Sequence, residues 1–117
     1  MIRYFNPDTM APPFSTYSLG AEIMQNARTV YVAGQVGVRP DGSVPADVDS
    51  QAEQMFLNIR ELLRGADMDL EDPVSTRTYL LTREHIPHLV AVRSRLLGDI
   101  QPPGTLLIVA GLGQPDW

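Results

Sequence analysis

The chain has 117 residues, no cysteine, 14 acidic against 9 basic side chains and a formal net charge of −5. A single domain of this size buries about 65% of the surface that its unfolded chain exposes, enough for a core without staples, and the missing cysteines exclude disulfides, a thiolate nucleophile and sulfur-ligated metal. The acidic balance would repel a phosphate backbone, so no nucleic-acid partner is expected; no apolar run approaches the roughly 18 to 20 residues of a membrane span, and "MIRYFNPDTM" has no signal-peptide core, so a cytoplasmic protein without a membrane partner is expected.

In chain order, "TYSLGAEIM" (16–24) and "RTVYVAGQVGV" (28–38) are rich in β-branched and aromatic residues, and "QNA" between them suits a reversal. They read as a hairpin. Both faces of the second run are partly apolar, which predicts a strand covered on both sides. "RPDG" (39–42) carries Pro and Asp at the centre of a type I turn, with Gly closing it. From Asp47 the apolar residues Val48, Ala52, Met55, Ile59 and Leu62 recur at helical spacing to Arg64, and Gly65 is expected as a left-handed stop. "VSTRTYLLT" (74–82) reads as a strand and "EHIPHLVAVRSRLLG" (84–98) as a second helix closed at Gly98, with Pro87 in its first turn. "TLLIVAGLG" (105–113) is apolar without alternation, the pattern of a strand buried on both faces. The order β-β-α-β-α-β predicts one α+β domain over 1–117, a single sheet with both helices on one face.

The second helix poses the chemical question. Its stripe of Ile86, Leu89, Val90, Leu96 and Leu97 places Arg93 in the middle of the apolar side, while His88 and Arg95 fall on the outer face. Two readings stand: a stem laid along the core edge with the guanidinium in water, or a planar fork of donors turned into a cleft to hold a carboxylate. Glu84, His85 and His88 in "EHIPH" read as solvated first-turn residues, because no further histidine or cysteine could complete a metal site. The two glycines of "AGQVGV" read as strand positions allowing close backbone approach or a bulge. The sequence contains no P-loop, no GxSxG and no Ser/His pair at catalytic spacing.

Several stretches together, "YSLG", "VYVAGQVGVRPDGSVPADVDSQAEQMFLNIRELLRGA", "VSTRTYLLT" and "PPGTLLIV", resemble the Rid or YjgF family of reactive intermediate deaminases, over about Tyr17 to Trp117. The resemblance implies a chorismate-mutase-like fold, assembled as a homotrimer with a central barrel and ligand clefts between subunits. It also implies hydrolysis of small imines or enamines to 2-keto acids and ammonia, without cofactor or metal. By this resemblance Tyr17 lines the cleft with Gln35, Thr105 is the small hydroxyl residue that helps order water, and Gly104 stands where the carboxylate-holding arginine is expected. The family's glutamate would lie on a final strand beyond Trp117. Arg93 falls where the archetypal members carry a cleft-facing asparagine, and a carboxylate clamp relocated to Arg93 is the expectation that follows. The alternative is a non-catalytic trimer binding a small carboxylate or imine metabolite. An endoribonuclease label attached to parts of the family is disfavoured by the acidic charge and by the lack of a histidine acid/base pair.

Overall fold

In a computed structural model, which describes residues 2–117, the chain opens on a strand, β1 (Ile2–Phe5), that pairs antiparallel with β2 (Gly20–Ile23), joining Ile2 to Ile23 and Phe5 to Gly20. Period-two alternation half-buries Ile2 and Tyr4 and leaves Arg3 and Phe5 exposed. The cross-strand pair Arg3–Glu22 closes at 3.3 Å, and the Arg3 guanidinium sits 5.0 Å above the Phe5 ring. That ring lies over Gly20, where a β carbon would stand 2.6 Å from its tip and push the Phe5 side chain aside. The Tyr4 hydroxyl donates to the Pro73 carbonyl, tying this sheet to the approach of the next strand.

The expected hairpin of 16–24 with 28–38 is corrected here. The reversal does occur, with Asn26 at φ 65° and the Ala27 amide on the Met24 carbonyl, but β2 takes its partner from the N-terminal side and 28–38 forms no strand. The end of that segment is held by a helix side chain instead: the Asn58 amide donates to the carbonyls of Val36 (3.1 Å) and Val38 (2.9 Å). Nor is the segment covered on both sides, for Tyr31 is 94% exposed. β-Propensity reflects packing against neighbours, and within one chain these residues have few.

The turn at 39–42 closes as expected, Gly42 donating to the Arg39 carbonyl at 2.9 Å. Helix α1 (Val48–Arg64) begins at Asp47, whose carboxylate caps the Ser50 amide at 2.9 Å. Gly65 is not left-handed; its φ is −61°, and the reversal comes at Asp67, φ 58°. Arg60 and Arg64 both reach Asp69 at 3.2 Å, which draws the outgoing chain under the helix end and lets the right-handed backbone continue past Gly65.

Strand β3 (Thr76–Leu80) leads through a 3-10 turn, Arg83–His85, into α2 (Ile86–Leu97), with Pro87 in its first turn and Gly98 at φ 59° after it. Strand β4 (Gly104–Ile108) then pairs parallel with β3, Arg77 opposite Thr105 and Tyr79 opposite Leu107. The core lies between the helices: Ala52 of α1 against Leu89 and Val92 of α2, with Met55, Phe56, Leu80 and Leu96 packed around them. The described residues thus form a small α+β fold with two helices and two two-stranded sheets, where a single sheet was expected. The break follows from 28–38, which bridges no strands. Strand β4 is exposed at all five residues, where burial on both faces was expected; it has only β3 beside it among the described residues and contributes no side chain to the core cluster.

Candidate functional site

Helix α2 turns Leu89 and Val92 inward, so the true centre of its buried stripe is one position from Arg93, which stands on the flank, half-buried. His88 and Arg95 do not face bulk solvent alone; they clip α2 to α1 through Asp49 (3.0 Å) and Glu53 (3.2 Å). Arg93 has no such carboxylate among the described residues. Its Nη2 donates to the Thr16 carbonyl at 2.8 Å, across 77 positions of sequence, and partial burial draws its pKa below the usual arginine value. The guanidinium is therefore a partly desolvated cation with most of its fork of donors unoccupied.

That bond places Arg93 at the segment carrying Tyr17. Tyr17 is half-buried, its hydroxyl accepting from the Phe14 amide at 3.3 Å, and the neighbouring Ser18 is 3% exposed. Two of the expected site residues are thus linked through the backbone carbonyl that precedes Tyr17. Gln35 lies elsewhere, on the unpaired segment, its amide turned back to the Ala33 carbonyl at 3.3 Å. Gly104 opens β4 opposite Thr76, and a β carbon on it would approach the Thr76 hydroxyl to 2.7 Å. Thr105, the next residue, alternates to the opposite face. Since Leu80 packs on the helical core, alternation along β3 and the register turn Thr105 away from the helix layer that carries Arg93.

Thr105 instead shares a hollow of about 280 Å³ with Arg77, Tyr79 and Leu107. Reading the sequence did not single out Arg77. The available signal was an arginine inside a β-rich run, at alternation with Tyr79; the register that sets it beside Thr105 depends on pairing across a 28-residue separation. Among the described residues no three His, Asp or Glu side chains gather in a way that could hold a metal ion.

The profile of the family described as Endoribonuclease L-PSP matches residues 9–117. The chain belongs to that family, the Rid or YjgF proteins. A Rid-family protein of unknown function from Yersinia pestis, YyfB, superposes with a TM-score of 0.85 at 27% identity, over 98% of this chain and 90% of that one. A mouse relative named 2-iminobutanoate/2-iminopropanoate deaminase is 36% identical over 83 residues, 68% of this chain and 59% of the mouse protein's length. The yeast Protein MMF1, mitochondrial, is 27% identical over 105 residues, covering 88% of this chain and 70% of its own length. Its name puts a Rid relative in an organelle, so membership of the family does not assign the cytoplasm. No helix among the described residues is long and apolar enough to cross a membrane.

Proposed function

We propose that this Rid-family chain hydrolyses small imines or enamines derived from amino acids, in clefts formed between neighbouring copies of the chain in a homotrimer. The observation that carries the reading is Arg93: a half-buried guanidinium beside the Tyr17 segment, without a carboxylate of its own. Taking a cation out of water is costly unless an anion compensates it, and a substrate carboxylate would supply one. The name of the mouse relative supplies the reaction class.

The chemistry needs water alone. A water oxygen bonds to the carbon of the C=N group and a proton passes to the nitrogen, giving a carbinolamine. Its C–N bond then breaks as the hydroxyl proton passes to the departing nitrogen, releasing ammonia and a 2-keto acid; an enamine enters the same path after its β-carbon takes up a proton and its nitrogen gives one up, which makes it the imine. No electrons are gained or lost overall, so no redox cofactor is implied. Arg93 would hold the carboxylate, and Tyr17 and Thr105 would order the water. Within one chain Thr105 faces away from Arg93, and an intersubunit cleft would let one subunit supply the Arg93–Tyr17 wall and a neighbour the Thr105 wall. Gln35 and the backbone at Gly104 would complete the lining.

The test generates 2-imino acids in place with an amino-acid oxidase and follows keto acid release. Wild type is expected to accelerate release over buffer, and Arg93→Ala to lose roughly 10- to 100-fold in kcat/KM, the scale of one charge-assisted contact. No acceleration by wild type would overturn the deaminase reading. An unimpaired Arg93→Ala would overturn the clamp alone.

A further inference from the structure

Residues 6–19, between β1 and β2, form a long loop that is fastened at its root and beside the candidate site but bare at its tip. At the root the Leu19 amide donates to the Asn6 side-chain oxygen at 2.7 Å, next to the paired Phe5 and Gly20. Further along, Ser18 is buried and the Arg93 guanidinium holds the Thr16 carbonyl at 2.8 Å. The Tyr17 hydroxyl accepts from the Phe14 amide at 3.3 Å, and Pro12 and Pro13 restrict the backbone just ahead of Phe14. The fastened part of the loop is thus the part that lies at the candidate site, and ordered surface loops of this length ordinarily serve binding.

The tip side chains Met10 and Phe14 are apolar and exposed, Phe14 to 95%. The Phe14 ring therefore packs on almost nothing in its own chain, although its backbone is held beside Tyr17. Phe14 stands two residues from the carbonyl that Arg93 holds, so the two Cα atoms are at most about 7.6 Å apart. A carboxylate on the free donors of Arg93 leaves the rest of a small acid within reach of that ring. An aliphatic tail laid against the ring takes both surfaces out of water, and a lone methyl has little surface to lay there.

We propose that Phe14 sets the specificity of this cleft, favouring 2-imino acids with branched or long aliphatic side chains over the alanine-derived one. The inference rests on the Arg93 clamp of the proposed function and deepens it. Arg93 fixes the carboxylate that all such acids share, and Phe14 reads the tail in which they differ.

The stable 2-keto acids pyruvate and 4-methyl-2-oxopentanoate carry the same carboxylate with a short and a branched tail, so they test the inference without any turnover. Each is titrated into the ¹⁵N-labelled protein and followed by amide chemical shifts. Wild type is expected to show saturable shifts at residues 14, 16, 17 and 93, and to bind the longer acid at least about 10-fold more tightly, the scale of added methylenes in an apolar site. Phe14→Ala is expected to lose most of that preference by weakening the longer acid, Phe14→Leu to keep part of it, and Arg93→Ala to weaken both acids alike. The proposal is overturned if neither acid shifts these residues, if wild type binds both equally, or if Arg93→Ala weakens neither. It is also overturned if Phe14→Ala keeps the wild-type preference or weakens both acids by the same factor. A Phe14→Ala protein whose light-scattering mass falls below that of wild type would overturn it as well, since the ring would then be seated on a neighbouring copy instead of a ligand. Failure of the reaction is read separately: a wild type that keeps the tail preference but hydrolyses no imine loses the deaminase reading alone, and one that hydrolyses imines without the preference loses the Phe14 assignment alone.

Discussion

A β carbon on Gly37 would lie 2.5 Å from the Gln51 carbonyl oxygen and 2.7 Å from the Gln51 Cα. Both atoms belong to the backbone of α1 and cannot turn aside as a side-chain tip could. Gly37→Ala is therefore expected to cost about 1–3 kcal/mol, the scale of an overpacked contact, read as a lower urea midpoint. Gly34→Ala, with nothing within 4 Å, should change stability little and serves as the control. The sequence suggested close backbone approach for this glycine pair without distinguishing its members, because the approach is made by a helix fourteen residues further on. Arg93 was legible in the same partial way. Helical periodicity located the right face to within one residue, but a step of 100° separates Arg93 from Val92, the most buried of the core side chains at 3% exposure. That step turns an arginine amid the stripe into one at its edge, with a backbone carbonyl as its partner.

At the scale of elements, helix α1 was the most legible, since its limits are written in local chemistry. Asp47 caps it, and Arg60 and Arg64 towards its end both find a carboxylate. The backbone N–H of Ser50 holds the Asp47 carboxyl below its usual pKa, and the Ser43 hydroxyl and the Leu70 amide do the same for Asp41 and Asp69. A carboxylate whose folded pKa is depressed contributes stability that is complete above the unfolded value of about 3.9 and is lost as pH falls through the lower folded value. Melting temperature should accordingly fall on acidification below about pH 4, and Asp47→Ala should lower it at neutral pH while making that acid limb shallower. Melting curves recorded by circular dichroism from neutral to strongly acid pH check both; an Asp47→Ala protein with an unchanged acid limb would remove the cap from the account. The β elements were less legible. Strand β1 shows alternation, but over only four residues, and residues 28–38 have the composition of a strand without a partner in the same chain. Pairing is a property of two segments, and composition describes one.

For the whole molecule, the surface tells what the single chain leaves undone. A monomer of 12.9 kDa is expected to expose about 6,300 Å², whereas this chain exposes 7957 Å². The difference lies where the sequence led one to expect burial: Tyr31 is 94% exposed and Leu107 49% exposed, and β3–β4 is a parallel pair, an arrangement that proteins ordinarily cover on both faces. The doubly apolar patterns of 28–38 and 105–113 find no cover within the single chain. Assembly of three copies would supply it, and light scattering on the purified protein is expected to give three times the 12.9 kDa subunit mass. Tyr31→Glu places a charge amid that apolar surface without touching the helical core, so it should shift the mass toward one subunit while each subunit keeps its helical circular dichroism. A wild-type mass of one subunit would remove the shared cleft, and with it the geometry by which Thr105 and Arg93 could meet on one substrate.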